Sequence, residues 1–136
     1  MTEAIRVRNL NKVYRKFNQG RVKAVDDVSF AIPEGEVFGF VGPNGAGKST
    51  TIRMLIGLLT PTEGSVRVAG VDVIAHPRRV REAIGYMGQR VSLYRGLTLY
   101  ENVEFYGGLH GISGRDLEAR WGALRERFEL ADAEKH

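Results

Sequence analysis

Glu36-Val-Phe-Gly-Phe-Val41, running without a break into Gly42-Pro-Asn-Gly-Ala-Gly47-Lys48-Ser49-Thr50, decides how this chain is read. The first six residues are almost continuously apolar. That pattern predicts a strand covered on both faces, as in a parallel α/β sheet. The next eight fit G-x-x-x-x-G-K-[ST] without deviation, and each residue type has a physical task. Glycines permit backbone conformations that a Cβ forbids, so successive amides can turn inward toward phosphate oxygens. The loop then opens a helix, whose free amides and positive dipole end act on the same anion. Lys48 supplies a mobile positive charge for the β- and γ-phosphates. The Ser49 hydroxyl suits Mg²⁺, a hard ion that prefers oxygen, and Thr50 offers one more hydroxyl. The stretch predicts a nucleotide site made of Gly42, Pro43, Asn44, Gly45, Ala46, Gly47, Lys48, Ser49 and Thr50. A Gly-rich turn that merely caps a helix is the alternative.

Working upstream, Ile5-Arg-Val-Arg8 alternates apolar with basic and predicts a half-buried strand. Tyr14 to Gly20 is polar and turn-like. Val22–Phe30 predicts a second strand, closed by the turn Pro33-Glu34-Gly35. Downstream, a helix is expected over Lys48–Leu58, with Gly57 near its end and Pro61 beyond it. Ser65–Val68 and Val71–Val73 flank Ala69-Gly70 as a short hairpin. A short helix at Arg78–Ala83 and a strand at Ile84–Met87 follow. Thr98-Leu-Tyr-Glu101 matches a capping box and predicts a helix to about Leu109. Ser113 opens another, on which Leu117, Trp121, Leu124 and Phe128 form one apolar stripe.

Composition narrows the classes. With 136 residues, 43% of them hydrophobic, the chain can bury a core, and wholesale disorder is excluded. No cysteine is present, so disulfides and thiolate metal sites are excluded. The net charge of +4 is mild and scattered, apart from Arg78, Arg79 and Arg81. A solvated face accounts for that cluster better than a nucleic-acid site, and no nucleic acid is expected as partner. No apolar run approaches the roughly 18 residues that span a bilayer, and the N-terminus lacks a signal-peptide pattern. A cytoplasmic chain with at most peripheral membrane contact is expected.

The phosphate loop, preceded by Ala24-Val-Asp-Asp-Val-Ser-Phe30 and Pro33-Glu-Gly-Glu36, closely resembles the nucleotide-binding subunits of ABC transporters. Ile84-Gly-Tyr-Met-Gly-Gln89, Ser92-Leu-Tyr94 and Leu97-Thr-Leu-Tyr-Glu-Asn102 look like that family's Q-loop region and the start of its helical subdomain. The resemblance runs from Ile5 to about Leu130 and is nearest to exporters that work with ABC-2-type membrane subunits. It implies an α/β fold: a partial P-loop NTPase core with an N-terminal antiparallel β subdomain and the start of a helical subdomain. It further implies one ATPase domain over 1–136, with β subdomain and phosphate-loop core in 1–97 and helical subdomain from 98. ATP and Mg²⁺ are the implied ligands. Tyr14 falls on the adenine-stacking position, with Phe17 as rival, and Gln89 on the glutamine that contacts Mg²⁺ and the attacking water. The implied partners are an ABC-2-type transmembrane subunit, met through the exposed part of 90–97, and a second ATPase subunit, joined in an ATP-dependent dimer at the cytoplasmic membrane face.

The family's signature motif, its Walker B Asp and Glu, and its switch His find no match in the 136 residues. Ala24-Val-Asp-Asp27 comes nearest to a Walker B strand but precedes the loop, and His76, His110 and His136 stand in other contexts. The expectation is therefore a chain that binds ATP and, by itself, does not turn it over. A non-transport ABC-type ATPase and a non-enzymatic remnant are the alternatives; a P-loop kinase or GTPase leaves the strand pair and the Gln89 context unexplained.

Overall fold

Alternating β-branched residues in the first third of the chain build a sheet before any helix appears. The computed structural model describes residues 2–16, 20–89 and 93–130. Strands β1 (Glu3–Lys16), β2 (Gly20–Pro33), β3 (Glu63–Val68) and β4 (Val71–Asp72) form one antiparallel sheet in the order β2-β1-β3-β4. Helices are α1 (Lys48–Leu55), α2 (Pro77–Ala83), α3 (Leu99–Leu109) and α4 (Gly114–Arg127). The chain divides into two compact units, Met1–Met87 and Gly88–His136. Among the described residues, no helix is long and apolar enough to cross a membrane.

In the first unit, Val7 and Leu10 of β1, Val25 of β2, and Val66 and Val68 of β3 bury their side chains with Met54 and Leu55 of α1 and Val80 of α2. Each such burial is worth about 1.5–3 kcal/mol, which holds α1 on the sheet. Four register shifts shape the long hairpin. Asn9 and Asp27 both sit in the left-handed region, at φ 46° and 48°. Short polar side chains make that conformation tolerable because they bond locally. Asn9 Nδ2 donates to Asp27 Oδ1 at 2.8 Å, and Asn11 Oδ1 accepts from the Asp27 amide at 3.0 Å. Asp27, the residue nearest in pattern to a Walker B acid, is thus a structural member of a bulge.

The hairpin at Ala69-Gly70 forms as expected, with both turn residues at positive φ. Four expectations for this unit need correction. Tyr14–Lys16 belongs to a strand rather than to the expected turn: β1 continues through Lys16, because Tyr14, Arg15 and Lys16 pair with Val22, Arg21 and Gly20. Helix α1 ends at Leu55, short of Leu58, and Gly57 at φ 69° finishes it. Neither Glu36–Val41 nor Ile84–Met87 is a strand. Val37 and Val41 are 99% and 97% exposed, and Met87 is 94% exposed. A strand buried on both faces needs a neighbour on each edge, and among the described residues neither segment has one. What holds the first in place is aromatic: Phe38 stacks on Phe30 at 5.4 Å, and Phe40 meets both edge-on.

In the second unit, the capping box is complete: Thr98 Oγ1 accepts from the Glu101 amide, and Glu101 accepts from the Thr98 amide at 2.7 Å. Hydrogen bonds donated by the Thr98 backbone amide and then by the Thr98 side chain hold the Glu101 carboxyl below the usual carboxylate range. Leu117 and Trp121 of the α4 stripe are buried as expected, whereas Leu124 and Phe128 are exposed. Ser113 occupies the N-cap position of α4 without a side-chain capping bond.

The buried Asn102 does more than its residue type announces. Its Oδ1 accepts from the Tyr94 amide at 2.8 Å, and its Nδ2 donates to the carbonyls of Tyr94, Leu97 and Thr98. One amide group thereby ties residues 94–98 to α3. Replacing it with leucine leaves buried backbone groups unsatisfied, at about 1–3 kcal/mol. In Asn102→Leu the Tyr94 amide is therefore expected to exchange with solvent at least about tenfold faster. Unchanged exchange at Tyr94 contradicts this role.

Candidate functional site

The loop between Val41 and α1 is set by two glycines with left-handed backbone, Gly45 at φ 86° and Gly47 at φ 85°. Gly47 is also wedged. A Cβ there would lie 2.3 Å from the Ala24 carbonyl oxygen and 3.3 Å from Val25 Cγ2. Only glycine meets both demands, which joins the loop's last turn to β2. Gly42, Pro43, Asn44, Gly45 and Ala46 form the exposed rim, and the Ala46 amide donates to the Pro43 carbonyl at 3.2 Å.

Helix α1 begins at Lys48, and its first internal bond runs from the Thr51 amide to the Gly47 carbonyl at 2.8 Å. Helix geometry leaves the amides of Lys48, Ser49 and Thr50 without an acceptor inside the helix. No acidic residue stands in the first turn, so the partial positive charge there is uncompensated from within the helix. The Lys48 ammonium folds back over the loop and donates to the carbonyls of Gly42 and Pro43, the latter at 2.7 Å. Lysine, amides and helix end therefore converge on one side of the loop. The Ser49 hydroxyl is exposed at the second position of the helix.

This arrangement fits a polyphosphate. It has flexible cationic charge, several inward-capable amides, and a rim whose glycines leave room at Gly45, where a Cβ would meet nothing within 4 Å. A nucleotide's own phosphate oxygens together with the Ser49 hydroxyl make a donor set suited to Mg²⁺.

Tyr14 lies in the same unit, on the hairpin that touches the loop. It pairs with Val22, three residues from Val25 and so about 10 Å along the strand. Tyr14 is 37% exposed. The rival aromatic, Phe17, lies outside the described residues, as do Arg90–Ser92 in the region expected to meet a membrane partner. Gln89 belongs to the second unit and is exposed. The structure thus gathers the nine loop residues and Tyr14 in one unit, with Gln89 in the other. Of the histidines, His76 precedes α2 and His110 follows α3, while His136 lies outside the described residues. Of the basic cluster, Arg81 donates to the Gly57 carbonyl at 2.9 Å, stapling α2 to the end of α1. One contact that residue type did not announce is Lys12, whose ammonium lies over the Tyr14 ring.

Residues 25–136 match the ABC transporter family. The daunorubicin/doxorubicin resistance ATP-binding protein DrrA of Streptomyces peucetius is 45% identical over 132 residues, covering 97% of this chain and 38% of that protein. The ABC transporter ATP-binding protein NatA of Bacillus subtilis (strain 168) is 42% identical over 112 residues, covering 82% of this chain and 46% of that protein. The chain thus spans less than half the length of either relative. Among solved structures, the ATP-binding cassette MJ0796, a dimer in a post-hydrolysis state bound to ADP and Pi, superposes with a TM-score of 0.81 at 28% identity, covering 97% of this chain and 60% of that one. A phosphate loop wedged on an antiparallel hairpin, and a family match reaching from β2 to the last residue, lead to one conclusion: the chain belongs to the ABC transporter family.

Proposed function

We propose that this chain holds ATP as part of the ATP-binding subunit of a drug-export-type ABC transporter. The observation that carries the reading is the convergence at Gly42–Thr50 of the Lys48 ammonium, the orphan amides opening α1 and the wedged Gly47. In this reading Lys48 leaves the carbonyls of Gly42 and Pro43 and turns to the β- and γ-phosphates. The amides of Gly45 to Thr50 line the polyphosphate, and Tyr14 takes the adenine on its open ring face. Bound Mg²⁺ would neutralise phosphate charge, with the Ser49 hydroxyl as a ligand from this chain.

The names of the relatives support the partners proposed here. DrrA is a resistance ATP-binding protein and NatA a transporter ATP-binding protein, and the MJ0796 cassette was solved as a dimer. The chain would work with an ABC-2-type transmembrane subunit and a second ATPase subunit, peripherally at the cytoplasmic face of the membrane. Residues 1–136 would form one ATPase domain, with its helical subdomain starting at 98.

Magnitudes rank the two binding roles. Hydrogen bonds to charged groups are worth about 1.5–3 kcal/mol each, and Lys48 supplies more than one. A single base stacked on an aromatic is worth about 1–3 kcal/mol. Calorimetric titration with Mg²⁺ and ATP should therefore show a larger affinity loss for Lys48→Ala than for Tyr14→Ala. Equal losses would count against these assignments.

The 136 residues contain no apolar run ending in Asp-Glu that could polarise a water opposite the γ-phosphate. Lacking a water-positioning group typically costs orders of magnitude in rate. We expect this chain, purified by itself, to show ATP binding without steady phosphate release. Release that persists through rigorous purification and vanishes in Lys48→Ala would refute this.

A further inference from the structure

Lys12 has two contacts that join separate parts of the first unit. Its Nζ lies 5.4 Å from the centroid of the Tyr14 ring. The same Nζ donates to the Thr60 carbonyl at 2.6 Å, in the segment that follows α1. Among the described residues no carboxylate pairs with it, so the ring and the carbonyl are the charge's partners. Its backbone pairs across the ladder with Val25, the residue packed against Gly47. Lys12 is therefore the point at which the strand carrying the aromatic, the residue pressing on the phosphate loop, and the segment between α1 and β3 meet.

We infer that Lys12 is a positioning residue for nucleotide binding: it fixes the Tyr14 ring at a set distance and tilt from the phosphate loop. The inference rests on the proposed role of Tyr14 in stacking adenine. Three physical steps support it. A tyrosine near the end of a two-stranded ribbon has rotamer freedom that must be lost when a base stacks on it. An ammonium over one ring face selects one rotamer beforehand, and so lowers that cost. It also covers one face only, leaving the other for the base. The bond to Thr60 keeps the ammonium from drifting into solvent, so the ring is referenced to main chain between α1 and β3 rather than to a mobile side chain.

The consequence is specific: Lys12 contributes to binding only when the ligand carries a base. Isothermal titration of the full chain with Mg·ATP and with inorganic tripolyphosphate separates the two contributions. Lys12→Met keeps the stem and removes the charge. It should weaken Mg·ATP about three- to fivefold, the size of an exposed cation–π contact, and leave tripolyphosphate unchanged. Lys12→Arg retains a cation able to lie over the ring, and should restore most of the loss. Equal weakening for both ligands, or no loss for Mg·ATP, overturns the inference.

The Tyr14 ring resonances give a second readout that needs no ligand. They should shift and broaden in Lys12→Met relative to the unsubstituted chain and to Lys12→Arg, and an unaltered ring spectrum overturns the inference as well. Should Lys12→Met fail to fold, the comparison of Lys12→Gln with Lys12→Arg decides by the same criteria. Tyr14→Ala separates the two ideas. If it leaves Mg·ATP affinity intact, the stacking reading fails and this inference with it. If it weakens Mg·ATP while Lys12→Met does not, only the inference about Lys12 fails.

Discussion

The left-handed turn at Gly47, pressed against the Ala24 carbonyl and the Val25 side chain, is the constraint on which the rest depends. It sets where α1 begins, and so where the unpaired amides of the helix point. It also joins the phosphate loop to the hairpin, which brings Tyr14 and Lys12 into the same neighbourhood. A methyl group at Gly47 would have to displace main chain rather than the tip of a flexible side chain. The site is thus built against a backbone carbonyl, and its geometry is inherited from the antiparallel ladder.

That ladder is stiffened where it bends. The bulges at Asn9 and Asp27 are bonded to each other, and Gly64 of β3 approaches so closely that a Cβ would fall 2.3 Å from the Asn9 carbonyl oxygen. Close approach of this kind lets β1 serve two neighbours while its far end carries Lys12 and Tyr14. Burial of Val7, Leu10, Val66 and Met54 holds helix and sheet together. Apolar burial sets the distance between the elements, and the loop chemistry uses it.

Much of this was legible in the residues because local chemistry dictates it. The phosphate loop, the Ala69-Gly70 hairpin and the Thr98–Glu101 box each depend on a few neighbouring residues whose conformational needs are narrow. Long-range features were not. Glu36–Val41 reads as a buried strand because its apolar run has that capacity, yet pairing is a property of two segments. Among the described residues that run finds the ring of Phe30 and, through Phe40, the core of the first unit, but no strand partner. Tyr14 reads as part of a turn because its surroundings are polar, but cross-strand partners carry β1 past it. Asn102 and Lys12 are common residue types whose importance comes from what they reach, four backbone groups in one case and a ring and a carbonyl in the other. The nine loop positions are readable as a local pattern, whereas the wedge of Gly47 against Ala24 and Val25 is a long-range contact that no local pattern carries.

The central claim is that main-chain amides at the start of α1, helped by Lys48, grip a polyphosphate. Amide chemical shifts followed by two-dimensional NMR during titration with Mg·ATP test it most directly. The account predicts the largest shifts at Gly45, Gly47, Lys48, Ser49 and Thr50, with the β3–β4 hairpin unmoved. A folded spectrum whose loop amides stay in place at millimolar nucleotide would contradict it.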